Sequence, residues 1–213
     1  MAHHGVLFLD ELPEFRREVL EGLRQPLEAG EICLSRAGRQ ARLPAQFQLV
    51  TAMNPCPCGY HGHPRIPCHC APQAVRRYRQ RISGPLLDRI DLRLEIPPTP
   101  LEALAPITPS KPSQSEPGAK ELLGMVECAH RLRSKRDQTR TNAHLQGNAL
   151  DRFSPLQGDG RRLLAHAVER RGLSARAVQS LRRVARTLAD LEGQERVMAN
   201  HLAGALALRA PVD

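Results

Sequence analysis

Gly5-Val6-Leu7-Phe8-Leu9-Asp10-Glu11-Leu12-Pro13-Glu14-Phe15 sets a short apolar run directly before two carboxylates. A continuous run of this length suits a strand buried on both faces, as in a parallel sheet. Its end places Asp10 and Glu11 at the C-terminal edge of such a sheet, where open α/β folds bind ligands. There Asp10 could hold Mg²⁺ through water, and Glu11 could polarise an attacking water. The alternative is a solvated strand end leading into a helix start, where acids favour the dipole. Pro13 opens a helix expected over residues 14–29, with Leu20, Leu23 and Leu27 on one face.

Working outward, residues 31–43 read as a hairpin: Ile32-Cys33-Leu34, a turn at Arg36-Ala37-Gly38-Arg39, and a return through Ala41-Arg42-Leu43. Gly38 supplies the positive-φ residue such a turn uses. Phe47 to Ala52 reads as a second buried strand, ending at Met53-Asn54-Pro55. A loop rich in Cys and His follows over residues 56–70. Residues 73–83 form a basic helix with Arg76, Arg77, Arg79 and Arg81, continued by Leu86 to Ile90, and Asp91 to Ile96 reads as a strand. A Pro/Ser/Thr-rich linker spans residues 98–118. Beyond Ala119 the pattern is helical: one helix to about Asp137, then two or three more between Arg152 and Arg209, with Ser174 as an N-cap. The expected class is α/β, with an α/β core at residues 1–97 and an all-helical lid domain at 119–213.

Composition narrows the chemistry. Lys+Arg number 31 against 22 Asp+Glu in 213 residues, a formal charge of +9, and the only lysines are Lys111, Lys120 and Lys135. The arginine excess fits either a GC-rich genome or a surface for phosphate, in nucleotide or nucleic acid. A P-loop needs Gly-Lys-Ser/Thr, and no lysine here follows a glycine, so the chain contains no P-loop. There is no Trp and aromatics are 3 %, which argues against base-stacking platforms. No apolar run reaches the ~18 residues of a membrane span. Met1-Ala2-His3-His4-Gly5 enters a strand at once and is not read as a signal peptide, so a cytoplasmic, reducing location is expected. In that setting Cys56-Pro57-Cys58 and Cys68-His69-Cys70 point to metal, a tetrahedral, structural Zn²⁺ held by four thiolates, with His61, His63 and His69 as possible substitutes. The alternative is a free-thiol surface loop. Cys33 and Cys128 stand alone and read as small core hydrophobes.

Taken together, the segment from Gly5 to Phe15 resembles the Walker B segment of magnesium-chelatase-like AAA+ ATPases, closest to the bacterial competence-associated branch, the ComM or YifB type. Three further motifs follow in the family's order. Ala52-Met53-Asn54-Pro55 is similar to the sensor 1 strand end. Ser83-Gly84-Pro85-Leu86-Leu87-Asp88-Arg89-Ile90-Asp91-Leu92 is similar to the arginine-finger segment, and Leu173-Ser174-Ala175-Arg176-Ala177 to the sensor 2 helix start. The resemblance covers essentially the whole chain and implies a partial AAA+ core holding the Walker B, sensor 1 and last strands, followed by the helical lid. It implies roles as well. Asp10 would be the Mg²⁺ ligand, Glu11 the catalytic base or water-orienting residue, and Asn54 the sensor 1 amide. Arg89 would be the finger reaching a neighbouring subunit's nucleotide, and Arg176 the lid's contact to the subunit's own nucleotide. The hairpin matches an insertion that in ring-shaped relatives points into the pore; Arg36 and Arg39 at its tip would grip DNA phosphates without reading bases.

The resemblance also marks what differs. Members of this branch begin with a Lon-like domain and the P-loop, and the strand of the P-loop lies between the sensor 1 strand and the last strand. Without it the sheet has a gap and unpaired edges. The chain is therefore expected to be the C-terminal part of an ATP-dependent ring motor. The complete protein would be a homo-oligomer, a hexamer, coupling ATP/Mg²⁺ to DNA remodelling or branch migration, while this chain alone would not hydrolyse ATP. Two rivals stand beside it: a zinc-stabilised, non-catalytic nucleic-acid-binding module using the Arg76–Arg81 helix, and the ATPase subunit of magnesium chelatase itself.

Overall fold

A computed structural model describes residues 2–36, 39–98 and 117–209. They divide into two compact units, one running to Ile90 and the other starting at Asp91. The first unit contains β1 (Val6–Leu9), α1 (Arg17–Gly22), α2 (Arg24–Ala29), β2 (Glu31–Arg36), β3 (Arg39–Pro44), β4 (Gln48–Thr51), α3 (Pro72–Arg79) and the short α4 (Gly84–Leu87). β1 and β4 run parallel, in register from Val6 opposite Gln48 to Leu9 opposite Thr51. β2 and β3 form a separate antiparallel hairpin, with Ile32 opposite Leu43 and Arg36 opposite Arg39. The turn residues Ala37 and Gly38 lie outside the described residues, as does most of the 98–118 linker.

The single helix expected over residues 14–29 is instead a 3₁₀ turn (Leu12–Glu14) followed by α1 and α2. Pro26 explains the break: it has no N–H to give the Gly22 carbonyl, and Gly22 is itself a poor helix former. Gly30, with φ at 69°, ends α2 and donates its N–H to the Pro26 carbonyl at 2.9 Å. The leucine stripe reads correctly. Leu20 joins Leu12, Ile82 and Leu86 in a buried cluster, with Leu9, Leu23, Leu27 and Met53 packed against it.

The expectation that β1 is buried on both faces does not hold. Val6 is 60 % and Phe8 59 % exposed, and Val50 of β4 shares their exposure. The reason is layering: the cluster around Leu20 covers one face, and no second layer among the described residues covers the other. Cys33 is likewise exposed on the hairpin, not a core residue.

The second unit contains α5 (Ala119–Lys135), α6 (Gly147–Phe153), α7 (Gly158–Arg171), α8 (Ala175–Leu191) and α9 (Ala199–Ala207). α8 buries Ala177, Leu181, Ala185 and Ala189 at helical spacing, and the last three pack with Val197, Leu202 and Ala205. Small residues set the spacing of α8 and α9: a Cβ on Gly204 would lie 3.0 Å from Leu188. Ser174 caps α8, its Oγ accepting the Ala177 N–H at 3.1 Å. Ser174→Ala is expected to lower stability by about 1 kcal/mol, read as a shifted urea midpoint at unchanged slope.

Asp91 to Ile96 is not a strand. Arg93 alone makes a bridge, to Arg209, donating its N–H to the Leu208 carbonyl at 2.8 Å. No strand among the described residues lies alongside the segment, and Leu92, Leu94 and Ile96 remain exposed.

A buried polar network fastens the ends of these helices. Asp190 on α8 accepts two bonds from Arg136, at 2.5 and 2.9 Å, and one from Asn142 at 2.8 Å. Arg186, one turn earlier, lies 2.9 Å from the same carboxylate and donates to the carbonyls of Glu195 at 2.8 Å and Gln194 at 2.5 Å. No helix among the described residues is long and apolar enough to cross a membrane.

Candidate functional site

The parallel register brings the two strand ends to one edge. Beyond the last pair, Leu9 opposite Thr51, the ladder continues as the Ala52 N–H donates to Leu9 and the Leu12 N–H to Ala52, both at 3.0 Å. Asp10 and Glu11 therefore stand beside Ala52, two residues before Asn54. All three site residues are exposed. The Asp10 carboxylate accepts the Glu11 N–H at 2.8 Å, which fixes its orientation. Glu11 itself is left-handed, φ 50° and ψ 45°, a conformation uncommon for a residue with a Cβ. The oxygen-donor set at this edge fits a hard divalent cation such as Mg²⁺.

Asn54 is held from behind by α3. Arg79 donates Nε to the Pro55 carbonyl at 3.1 Å, and buried Tyr78 is hydrogen-bonded to the Asn54 backbone. Burial raises the Tyr78 pKa, and the Glu14 and Glu11 carboxylates push it the same way, so Tyr78 belongs to the same electrostatic neighbourhood. Sequence reasoning missed Tyr78 and Arg79. The available signal was their place one helix after the strand end, obscured by reading the segment only as basic. That reading also changes: Arg79 is turned to Pro55 and Arg81 pairs with Glu14 at 3.1 Å, which leaves Arg76 and Arg77 as the exposed arginines of α3.

Arg89, just past α4, is in the first unit with Asp10, Glu11 and Asn54, and lies in a cleft with Glu28 described below. Arg176 occupies the first turn of α8 in the second unit. Arg36 and Arg39 face each other across the last described pair of the hairpin, and Arg39 is exposed.

The cysteine loop closes on itself. Cys56, Cys58, Cys68 and Cys70 bring their Sγ atoms all within 4.8 Å of one another, and none is in a disulfide. Cys56 to Cys58 is 3.4 Å, Cys58 to Cys68 3.6 Å and Cys56 to Cys68 3.7 Å. A tetrahedron with ~2.3 Å metal–sulfur bonds has edges of about 3.8 Å, so four thiolates so placed could hold one metal ion. The electrostatics agree. The Tyr60 backbone N–H leads the groups that lower the Cys58 thiol to about 6, while hydrogen bonding with Cys58 leads those that push Cys70 up to about 12. One thiolate forms readily and makes the next harder, so the full set of four needs a cation among them. His63 is committed elsewhere: its Nδ1 accepts the N–H groups of Ile66 at 2.9 Å and Arg65 at 3.1 Å.

Comparison with known proteins bears on this arrangement. The family profile described as magnesium chelatase, subunit ChlI, matches residues 1–104, and that of its C-terminal part matches residues 118–209. An uncharacterized protein YifB of Salmonella typhimurium is 43 % identical over 99 % of this chain, and the competence protein ComM of Haemophilus influenzae 42 % identical over 100 % of it. The Escherichia coli YifB is also 42 % identical, over 99 %. The chain spans 40 % of the length of each of these relatives. With an AAA+-like α/β fold implied by both matches and a parallel strand pair that ends in the expected carboxylates, the chain belongs to the magnesium-chelatase-like family, of the ComM/YifB type.

Proposed function

We infer that this chain is the C-terminal part of an AAA+ motor that couples ATP hydrolysis to remodelling of DNA. The observation that carries the reading is the parallel register of β1 and β4, which sets Asp10, Glu11 and Asn54 on one edge of one sheet. Bound Mg²⁺ and ATP would supply the phosphoryl group and the charge that draws it off. The chain's own residues would do the rest. Asp10 would hold the cation, and its carboxylate is oriented by the Glu11 N–H. Glu11 orients the attacking water and takes its proton, and the Asn54 amide donates to the γ-phosphate while Tyr78 and Arg79 keep it in place. Arg89 reaches a neighbouring subunit's nucleotide, and Arg176, on a helical lid, the subunit's own, so the assembly is a ring of like subunits; the number six comes from the family resemblance alone. The hairpin tip, with Arg39 exposed and Arg36 opposite it, is the DNA contact. The cysteine cluster holds a structural Zn²⁺, since four protein ligands leave no open position. The ComM relative's description as a competence protein suggests transformation or recombination as the setting.

The test joins this chain to an upstream segment carrying a P-loop and measures DNA-stimulated ATPase. Glu11→Gln is expected to lower kcat about a hundredfold with KM for ATP little changed, because the amide cannot take the proton. Turnover by this chain alone, or an unchanged kcat in Glu11→Gln, would overturn the reading.

A further inference from the structure

We propose that Glu28 is a positioning residue for Arg89: a carboxylate that holds this arginine retracted, and that the phosphates of a neighbouring nucleotide must displace. The inference rests on the reading of Arg89 as a finger, but the contact itself does not. An arginine that acts across a subunit boundary has to present its guanidinium to solvent before the neighbour arrives. Arg89 does not. Its side chain is only 12 % exposed, and its Nη1 folds back along its own segment to donate to the Pro85 carbonyl at 2.6 Å. Its Nη2 donates to the Glu28 carboxylate on α2, and its Nε is buried with no acceptor among the described residues. Arg89 and Glu28 line an open cleft of about 460 Å³ together with Glu21 and Arg24. Glu21 accepts from Arg24 at 2.7 Å, and its carboxyl is held below the ordinary carboxylate range by a hydrogen bond from Ser83 first and Arg24 second. Ser83 is also the N-cap of α4, its Oγ accepting the Leu86 N–H at 3.3 Å. Glu21 thus anchors the start of the segment that carries Arg89, and Glu28 holds its end.

Glu28 is about half exposed, whereas Arg89 is nearly covered. An incoming oxyanion can reach the pair from the cleft side and replace one anionic acceptor with another, a charge-for-charge exchange with no intermediate in which the guanidinium is bare. The carboxylate accordingly sets how much of the time the finger is free.

Two arms test this. In the first, this chain is treated with phenylglyoxal, and modification at each arginine is followed by peptide mass mapping. Glu28→Gln is expected to raise the rate at Arg89 about fivefold, the scale of one partly exposed ion pair, with Glu28→Asp nearer the unsubstituted rate. An unchanged rate at Arg79, which the fold holds against the Pro55 carbonyl, would show the fold intact, with exposed Arg16 as the reference for reagent strength. An unaltered rate at Arg89 in a folded Glu28→Gln chain overturns the proposal. In the second arm, the longer protein is assayed for ATPase. Glu28→Gln is expected to raise kcat up to about fivefold, and to have no effect in an Arg89→Ala background. A lowered kcat, or an equal effect with and without Arg89, refutes the retraction role. If Arg89→Ala itself leaves kcat intact, the finger reading fails, and the first arm still decides what Glu28 does.

Discussion

Cys58→Ser should lower the affinity of this chain for Zn²⁺ by on the order of a hundredfold to a thousandfold. A structural zinc site contributes roughly 10–16 kcal/mol, and one of four ligands carries about a quarter of that. The unsubstituted chain is expected to take up one equivalent, read by competition with a chromophoric chelator, and to give tetrahedral thiolate spectra when Co²⁺ replaces Zn²⁺. Cys58 is the informative position because its thiol is the one already lowered, to about 6. The pH dependence has a definite sign. Metal binding expels the protons of the remaining thiols, Cys70 at about 12 above all, so affinity falls as pH falls and falls fastest while more than one thiol must be deprotonated. The loop from Gly59 to Pro67 has little apolar material with which to pack, so chelation is expected to expose it to proteolysis while α8 and α9 stay folded. Retention of full affinity in Cys58→Ser would show that the metal is held elsewhere. No uptake by the unsubstituted chain would show that the four thiols are simply crowded.

Asp190→Ala should destabilise the helical unit by about 3–5 kcal/mol. The carboxylate is 1 % exposed and is shared by Arg136, Arg186 and Asn142. Removing it leaves two guanidinium groups close together without their common anion, one of them fully buried, and truncating one partner of a buried pair has effects of this size. Burial already lowers the Arg186 pKa, against the pull of Asp190, so the loss of Asp190 takes away the main group opposing that burial. The measurement is a urea titration followed by helical circular dichroism. Glu195→Ala is the control. It breaks the pair with Lys135 at 2.6 Å, but both partners are exposed to water, and the midpoint should stay in place. Equal effects from the two variants would show that the network contributes no more than a surface contact.

The parts of this chain that were legible in the sequence are those in which local pattern and global packing agree. Leu20, Leu23 and Leu27 share a face because helical spacing puts them there, and that face finds a core. The hairpin was visible within a residue of its true ends, since alternation and a polar turn are local properties. Cys56, Cys58, Cys68 and Cys70 were visible as a group because sulfur in short spacings has few other uses. Where the reading failed, the deciding partner was remote. β1 looked doubly buried, but burial depends on a second layer that its own residues do not specify. Asp91 to Ile96 had the composition of a strand, but among the described residues only Arg93 finds a backbone partner, at Arg209. Glu28 gave no signal at all: a lone acid at a helix end becomes meaningful only when Arg89, far along the chain, folds back onto it.

The left-handed backbone at Glu11 has a consequence for what selection can do with this position. A side chain bearing a Cβ gives up roughly 1–2 kcal/mol in that conformation, and glycine would not. On backbone grounds, then, the most comfortable residue at the end of β1 is one with no functional group. If Glu11 has the catalytic role proposed above, a chain that keeps a glutamate there holds a local instability in exchange for a carboxylate at the sheet edge, and activity and folding free energy would point in opposite directions at this residue. On that role, Glu11→Gly is expected to stabilise the chain while removing the carboxylate from the sheet edge.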